Sequence, residues 1–433
     1  MTFLPSSLVK GSVGRRLVSG AGANFLGKVW VLLVQLLFVP VMTAKWGVEG
    51  FGVWLMITTI PTYLALSDFG FAMAGGVELT SSVAKGDQDS ALKALQTTWV
   101  FITSISAIFV AVVFLAAVLW LNLSGSTFAE PFTKSEVFWA ICLVTGAAAL
   151  SLQMTVQKIV FQATHKYALG TILMDLSNFI VSMCVLFSVI LGHGIVVAAA
   201  VQFVGRLVCA LAYMKTRHFY EPWATVGTKH FDKATLKRLF RPSLGALTLT
   251  LANSFALQGV VLTIGWALGP GYAAIFATCR MLTRIPLQFS GLLVRASLPE
   301  LTRSQSQNDP KLTKQLTYWN LRFGLGVLIP SFVLLGILGP TLIDYMSHGE
   351  MNAGHLDFLM LGLAAALSGS WTIVGTRLIA LNRQGEFAHI ALMLYLIVAL
   401  VPFVSSEDLL LVYLAMILSD AILLYVVNLK DRQ

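Results

Sequence analysis

The sequence has little charge for its length. Of its 433 residues, only 11% are Asp, Glu, Lys or Arg, whereas soluble domains carry roughly 25%. Hydrophobic residues make up 57%, and the mean hydropathy is +0.80. Water is therefore not the main solvent of this chain, which excludes an ordinary soluble enzyme. Once the apolar runs are set aside, no separate globular domain fits in the remaining residues.

Motifs for disulfides, metals and nucleic acid are also missing. The four cysteines, Cys142, Cys184, Cys209 and Cys279, lie inside apolar runs without CxxC spacing, so we expect no disulfide and no metal site. The net charge of +9 is spread through short loops and does not form a polybasic patch, which argues against nucleic acid as a partner. No cofactor and no catalytic residue is expected.

Long apolar runs dominate what is present. A membrane crossing needs about 20 apolar residues, and a segment in lipid must satisfy its own backbone, so these runs predict α-helices. The chain is therefore an all-α, multi-pass membrane protein. We predict twelve helices, at about 17–43, 50–77, 94–121, 137–160, 167–191, 194–214, 238–267, 272–298, 316–338, 356–381, 387–404 and 408–429.

Basic residues distinguish the two sides of the membrane. Most of the 29 Lys and Arg residues flank one set of alternate loops, and only Lys45 and Lys134 flank the other. Cytoplasmic loops carry the excess of Lys and Arg. This predicts that the N- and C-termini lie in the cytoplasm and that the helix count is even.

An internal repeat divides the predicted helices into two halves. Glu78-Leu79-Thr80 recurs as Glu300-Leu301-Thr302, and the same offset of 222 residues relates Gly47 to Gly269. Six helices per half require parallel repeats, related by a pseudo-twofold axis along the membrane normal. We predict two six-helix lobes, 1–222 and 223–433, joined by a basic cytoplasmic linker at 215–241. Such halves commonly enclose a central cavity and work by alternating access.

Three cations lie deep in the predicted helices. Lys28, Arg280 and Arg284 are about 12–18 Å from the nearer loop at 1.5 Å per residue, too deep to reach the headgroups easily. Amides share their helical faces, namely Asn24, Gln35 and Gln288. These six residues predict a cationic cavity for an anionic substrate, most simply a phosphate or pyrophosphate. The alternative is that the cations pair with Asp68 or Asp420.

The other intramembrane charges favour local roles. Asp175 and Arg206 reach equal depth on neighbouring predicted helices, which indicates a structural ion pair. Arg295, Arg322 and Arg377 lie near helix ends, where long side chains reach the headgroups. Asp68 could be an ion-coupling site, a gating partner or a helix cap, and the sequence leaves these open.

Several motifs resemble the Wzx-type oligosaccharide flippases. In the first half they are 20–24 (GAGAN), 46–54 (WGVEGFGVW) and 66–71 (LSDFGF). In the second half Arg241-Pro242-Ser243-Leu244-Gly245, Leu268-Gly269-Pro270 and Ser297-Leu298-Pro299-Glu300-Leu301 are similar to the same branch. That branch is the polysaccharide transporters of the multidrug/oligosaccharidyl-lipid/polysaccharide (MOP) exporter superfamily.

The resemblance implies a V-shaped, two-lobe fold and a lipid-linked cargo. The cargo would be a polyprenyl-pyrophosphate-linked oligosaccharide, such as an O-antigen, capsule or exopolysaccharide repeat unit, moved across the bacterial inner membrane. Glycan polymerase and chain-length regulator proteins are partners that the resemblance also implies. The rings of Trp30, Trp54 and Trp266 could face the sugar, although anchoring at the membrane interface is the commoner role of tryptophan.

Two other functions are weighed against this one. A cation-coupled multidrug exporter of the same superfamily typically has a carboxylate in its first helix, yet 17–42 contains no Asp or Glu. A membrane-embedded glycosyltransferase or polymerase needs a catalytic loop. The outer loops here are short, and the polar group from Asp344 to Asp357 lacks a metal-binding pattern. The lipid II flippases resemble the chain too, but they usually have two more helices.

Overall fold

The protein is described by a computed structural model over residues 12–67, 71–123, 131–306, 310–380, 383, 385–405 and 409–432. All regular secondary structure within these ranges is helical. Asp68, one of the residues singled out above, lies outside the described residues.

The helices of the first half follow one another with short connections. They are α1 (Ser12–Ser67), α2 (Phe71–Ala84), α3 (Gln88–Leu123), α4 (Lys134–Ala163), α5 (Tyr167–Ile190) and α6 (Ile195–Tyr220). At the start of α4, Thr133 and Glu136 form a reciprocal capping box, in which each side chain accepts a hydrogen bond from the other residue's backbone N–H.

The second half repeats this series. Its helices are α7 (Lys233–Ser254), a π-helical turn (Phe255–Gly259), α8 (Val260–Ala267), α9 (Pro270–Ser306), α10 (Pro310–Ser347), α11 (His355–Ala380), α12 (Gly385–Leu400) and α13 (Leu410–Arg432). A short 3₁₀ turn, Val401–Phe403, extends α12.

The predicted all-helical membrane fold is confirmed. Ten helical stretches among the described residues are long and apolar enough to cross a membrane. The first of them, Gly22–Ile60, contains two predicted helices, which meet at the non-helical residue Gly47 within α1. Helix α9 matches another predicted crossing but is not among the ten, and it carries Arg280 and Arg284 within its first half.

The repeat is visible in the backbone of two turns. Gly47 has φ 70° and Gly269 has φ 112°, a region that side-chain-bearing residues rarely adopt. Each glycine breaks the chain between the first and second predicted helices of its half. The repeat offset read from the sequence therefore relates two glycines that perform the same turn.

Clustering of contacts divides the chain into two compact units. The first unit contains 1–41 and 60–247, and the second contains 42–59 and 248–433. Within the first unit, α4 packs against α2, α3 and α6, and α5 packs against α6. Within the second, α11 packs against α9, α10 and α13, and α12 packs against α13. The two units thus share one packing pattern, as parallel repeats require.

Glycines join 42–59 to the rest of the second unit. A side chain at Gly52 would overlap the backbone of Pro270, and one at Gly265 would overlap Met56. At the start of α9, the Gly271 N–H donates to Glu49 Oε2 at 2.8 Å. The missing Cβ atoms let the Gly52 backbone approach the Pro270 backbone and the Met56 side chain approach Gly265, which explains why 42–59 belongs to this unit.

The linker after α6 is held against the first unit. Gln96 donates to the Thr225 carbonyl at 3.0 Å and accepts from the His230 N–H at 2.7 Å. The buried Arg217 guanidinium donates to Gln157 Oε1 at 2.8 Å and also to the Ala224 carbonyl. Since helix side chains satisfy its backbone groups, this segment is an ordered part of the first unit.

Candidate functional site

A group of two lysines and one aspartate lies inside the membrane-spanning helices of the first unit. Lys28 on α1, Lys158 on α4 and Asp175 on α5 are all half-buried. Both lysines attract the Asp175 carboxylate electrostatically, yet neither forms an ion pair with it. Among the described residues, neither ammonium has a hydrogen-bond acceptor. The group therefore carries one unbalanced positive charge on two side chains that can still accept a ligand.

Gly27 places the carboxylate beside Lys28. A Cβ atom at Gly27 would overlap the Asp175 carboxyl group, so the glycine leaves room for this carboxyl against the backbone of α1. Lys28 was predicted as a site residue from its depth. Lys158 was not predicted as a site residue, because it lies within the last two turns of α4, close to a helix end.

Polar groups adjoin the lysines on α1. The Tyr167 hydroxyl, at the start of α5, donates to Asn24 Oδ1 at 3.3 Å. Asn24 precedes Lys28 by one helical turn, so a tyrosine and an amide lie on the same face as the ammonium. Farther along α1, Gln35 has a buried Oε1 atom without a partner in the described structure.

The predicted ion pair between Asp175 and Arg206 is wrong. Arg206 donates to Asn178 Oδ1 at 2.8 Å, and Asp175 faces the two lysines. Residue counts placed the two side chains at the same depth, but depth does not determine the direction in which a helix presents them. The arginine is satisfied by an amide one turn along α5.

In the second unit, Arg280 is fully engaged. It is only 8% exposed, and its guanidinium donates to the backbone carbonyls of Ala256, at 3.0 Å, and Leu257. Its guanidinium carbon also lies 4.7 Å from the centre of the Phe276 ring, in a cation–π contact. A π-helical turn departs from the α-helical hydrogen-bond pattern, and Arg280 donates to two carbonyls of this turn. This geometry supports a structural role for Arg280, and the substrate contact expected from sequence stays a prediction.

Asp420 forms the other buried polar centre of the second unit. Its Oδ1 accepts hydrogen bonds from Trp371 Nε1 at 2.8 Å and from the Tyr395 hydroxyl at 2.7 Å. The residue is 3% exposed, and its carboxylate attracts the half-buried Arg284. The structure thus supplies Asp420 as a counter-charge for Arg284, which was the alternative considered from sequence.

The remaining predicted residues have varied positions. Gln288, a predicted substrate-contact residue, is half-buried on α9, and the structure leaves its predicted role untested. Arg322 is exposed and donates to the Tyr318 hydroxyl at 3.0 Å, in keeping with a place near the headgroups. Arg295 and Arg377 are not among the residues whose side chains the structure describes.

Two of the three tryptophans considered for sugar contact pack within the protein. Trp30 stacks on Phe179 with 5.8 Å between ring centres, and Trp54 is buried, edge-on to Trp46. Trp266 is 61% exposed.

A known protein family matches most of these helices. The family described as "polysaccharide biosynthesis protein" matches residues 17–305, from α1 through nearly all of α9. The chain belongs to this polysaccharide biosynthesis family. The match includes the Lys28, Lys158 and Asp175 group and the Arg280 turn. A comparison with curated protein sequences gives no match.

Solved structures with the same fold come from the MOP superfamily. A structure titled as the inward-facing conformation of a multidrug resistance MATE family transporter has a TM-score of 0.75 at 12% identity, covering 92% of this chain and 93% of that one. An outward-facing conformation of such a transporter has a TM-score of 0.63 at 12% identity, with coverage of 98% and 96%. The polysaccharide biosynthesis family member described here therefore has the MOP transporter fold.

A third similar structure is described as having a different function. It is a MOP superfamily transporter from Pyrococcus furiosus, for which "reverse polarity of binding pocket suggests different function". Its TM-score is 0.63 at 13% identity, covering 98% of this chain and 96% of that one. At such identity the likeness concerns the fold alone.

Proposed function

We propose that this protein is a flippase for a polyprenyl-pyrophosphate-linked oligosaccharide. It would move the cargo by alternating access from the cytoplasmic to the periplasmic leaflet of the inner membrane. Membership of the polysaccharide biosynthesis family and the MOP fold support a transporter that serves glycan assembly.

The observation that carries the proposal is the unpaired state of Lys28. An ammonium deep in a bilayer costs roughly 2.5–3.5 kcal/mol on insertion scales, so such residues usually have a partner or a function. Lys28 and Lys158 share a single carboxylate and have no hydrogen-bond acceptor in the described structure. Two ammonium groups can neutralise a pyrophosphate, whereas the neighbouring Asn24 and Tyr167 can hydrogen-bond to sugar hydroxyls.

The second unit contributes differently to this proposal. Arg280 and Arg284 were predicted to bind the same anion, but internal acceptors and a carboxylate already face them. We therefore assign the first contact with the pyrophosphate to the first unit alone.

Multidrug export is the competing function, because similar structures are of multidrug resistance transporters. Its cationic drugs would be repelled by a group with a net positive charge, and α1 offers no acidic residue between 17 and 42. The flippase is favoured on electrostatic grounds.

A deletion strain complemented with variants tests the function. We expect loss of the gene to leave complete lipid-linked oligosaccharide on the cytoplasmic side, and wild-type protein to restore surface glycan. Lys28→Met should restore less than a tenth of the wild-type export, since the anion loses its charge partner. Lys45→Ala, at an exposed lysine of the same helix, is the matched control and should export normally. Unchanged glycan with altered drug tolerance would overturn the proposal in favour of the exporter.

A further inference from the structure

The strongest unexplained feature is the position of Asp175. Lys28 and Lys158 both attract its carboxylate, and yet no hydrogen bond to it is formed in the described structure. A carboxylate buried for structural reasons is normally hydrogen-bonded, as Asp420 is by Trp371 and Tyr395. Asp175 is therefore attracted by the two lysines, but no hydrogen bond holds its carboxylate in place.

We propose that Asp175 is an internal counter-ion, which is attracted to Lys28 and Lys158 and gives way to the anionic headgroup of the cargo. The inference rests on the proposed function, and it names a residue that sets how tightly the headgroup is held. The carboxylate is itself an anion, so it balances one of the two lysine charges while the site is empty.

Local geometry permits the exchange. Asp175 is half-buried and not enclosed, and the absence of a Cβ at Gly27 leaves the carboxylate next to α1 without locking it. Lys28 and Lys158 attract it but remain beyond ion-pair distance, so both ammonium groups keep their hydrogen-bond donors available. A phosphate can bind both lysines at the moment when the carboxylate turns away.

Electrostatics explains why a transporter would keep such an acid. Without Asp175, two uncompensated ammonium groups in a weakly hydrated site would bind a pyrophosphate too tightly for rapid release. A carboxylate that competes for the same lysines lowers the affinity and supplies a replacement charge when the cargo leaves.

Binding of inorganic pyrophosphate to the purified, detergent-solubilised protein tests this inference. Titration calorimetry at low ionic strength would compare wild type with Asp175→Asn, where we expect affinity to rise about tenfold because one negative charge is removed from the site. Lys28→Met should abolish binding in both backgrounds. Asp89→Asn is the charge-matched control, since Asp89 is exposed on α3 and paired with Lys93, and it should leave the affinity unchanged.

The outcomes separate this inference from the function on which it rests. If Lys28→Met abolishes binding but Asp175→Asn binds no tighter than wild type, Asp175 is not a competing counter-ion, although the lysine site stands. If no variant and no wild-type protein binds pyrophosphate, both proposals fail. Thermal unfolding of each ligand-free sample verifies folding, and Asp175→Ser provides a second variant should the asparagine protein be unstable.

Discussion

In the second unit, Asp420 accepts two hydrogen bonds and Arg280 is held by two carbonyls, whereas in the first unit Lys28 and Asp175 form no hydrogen bond with a described residue. Both units share one fold and one packing pattern. What distinguishes these four charges is whether each is hydrogen-bonded within the protein: Asp420 and Arg280 are, and Lys28 and Asp175 are not bonded to a described residue. Charges that are hydrogen-bonded within the protein stabilise a helix arrangement. Charges without such a partner are available to bind a ligand.

Replacing Asp420 or Asp175 with alanine should give the largest difference in stability between the two units. Asp420→Ala leaves the Trp371 and Tyr395 donors unpaired and removes the carboxylate that faces Arg284, at a cost of about 3–5 kcal/mol. Asp175→Ala removes a half-buried acid without hydrogen bonds and should cost less than about 1 kcal/mol. Thermal unfolding in detergent measures both, and equal losses of stability would contradict the distinction.

Replacing Arg280 and Lys28 in turn should show a second difference between the two units. Arg280→Met leaves two buried carbonyls of the π-helical turn without donors, and we expect a loss of about 2–3 kcal/mol together with low protein levels in the membrane. Lys28→Met should leave the unfolding temperature unchanged while export falls. A stable, exporting Arg280→Met protein would show that the turn does not need its arginine.

The smallest expected effect concerns the linker of the first unit and its dependence on pH. Burial raises the pKa of the Glu221 carboxyl, but hydrogen bonds from Lys166, Trp223 and Thr164 outweigh this, and the pKa lies below its ordinary value of 4.5. A carboxyl whose pKa is lower in the folded state stabilises that state above its unfolded pKa and stops doing so as pH falls through the folded value.

Amide hydrogen exchange of 221–232, corrected for intrinsic rates, should therefore be slow at pH 7 and a few-fold faster below about pH 4. Glu221→Gln should remove this dependence. A linker that exchanges equally slowly at both pH values in the wild type would show that Glu221 does not hold it.

Much of the fold could be predicted from sequence because the bilayer imposes simple rules. Helix length, apolar composition and the offset between Gly47 and Gly269 gave the crossings and the repeat, since each depends on chain position alone. The positive-φ turns then followed from glycines at equivalent places.

Side-chain partners were harder to predict, because they depend on how each helix is rotated. Asp175 and Arg206 match in depth but contact different groups, and Trp371 and Tyr395 gave no sign that they would bind Asp420. The π-helical turn at Phe255–Gly259 was equally hidden, since a single glycine in an apolar run is compatible with an ordinary α-helix. Lys158 could have been found, as a lysine within the last two turns of α4.

The π-helical turn has a consequence for how this helix could have evolved. A π turn accommodates one additional residue, which rotates the two flanking segments relative to each other by about 100°. Deletion of one residue in 255–259 would restore an unbroken α-helix. It would also rotate the side chains of α7 away from their neighbours and leave the guanidinium of Arg280 without acceptors. The insertion and the arginine are thus expected to be retained or lost together.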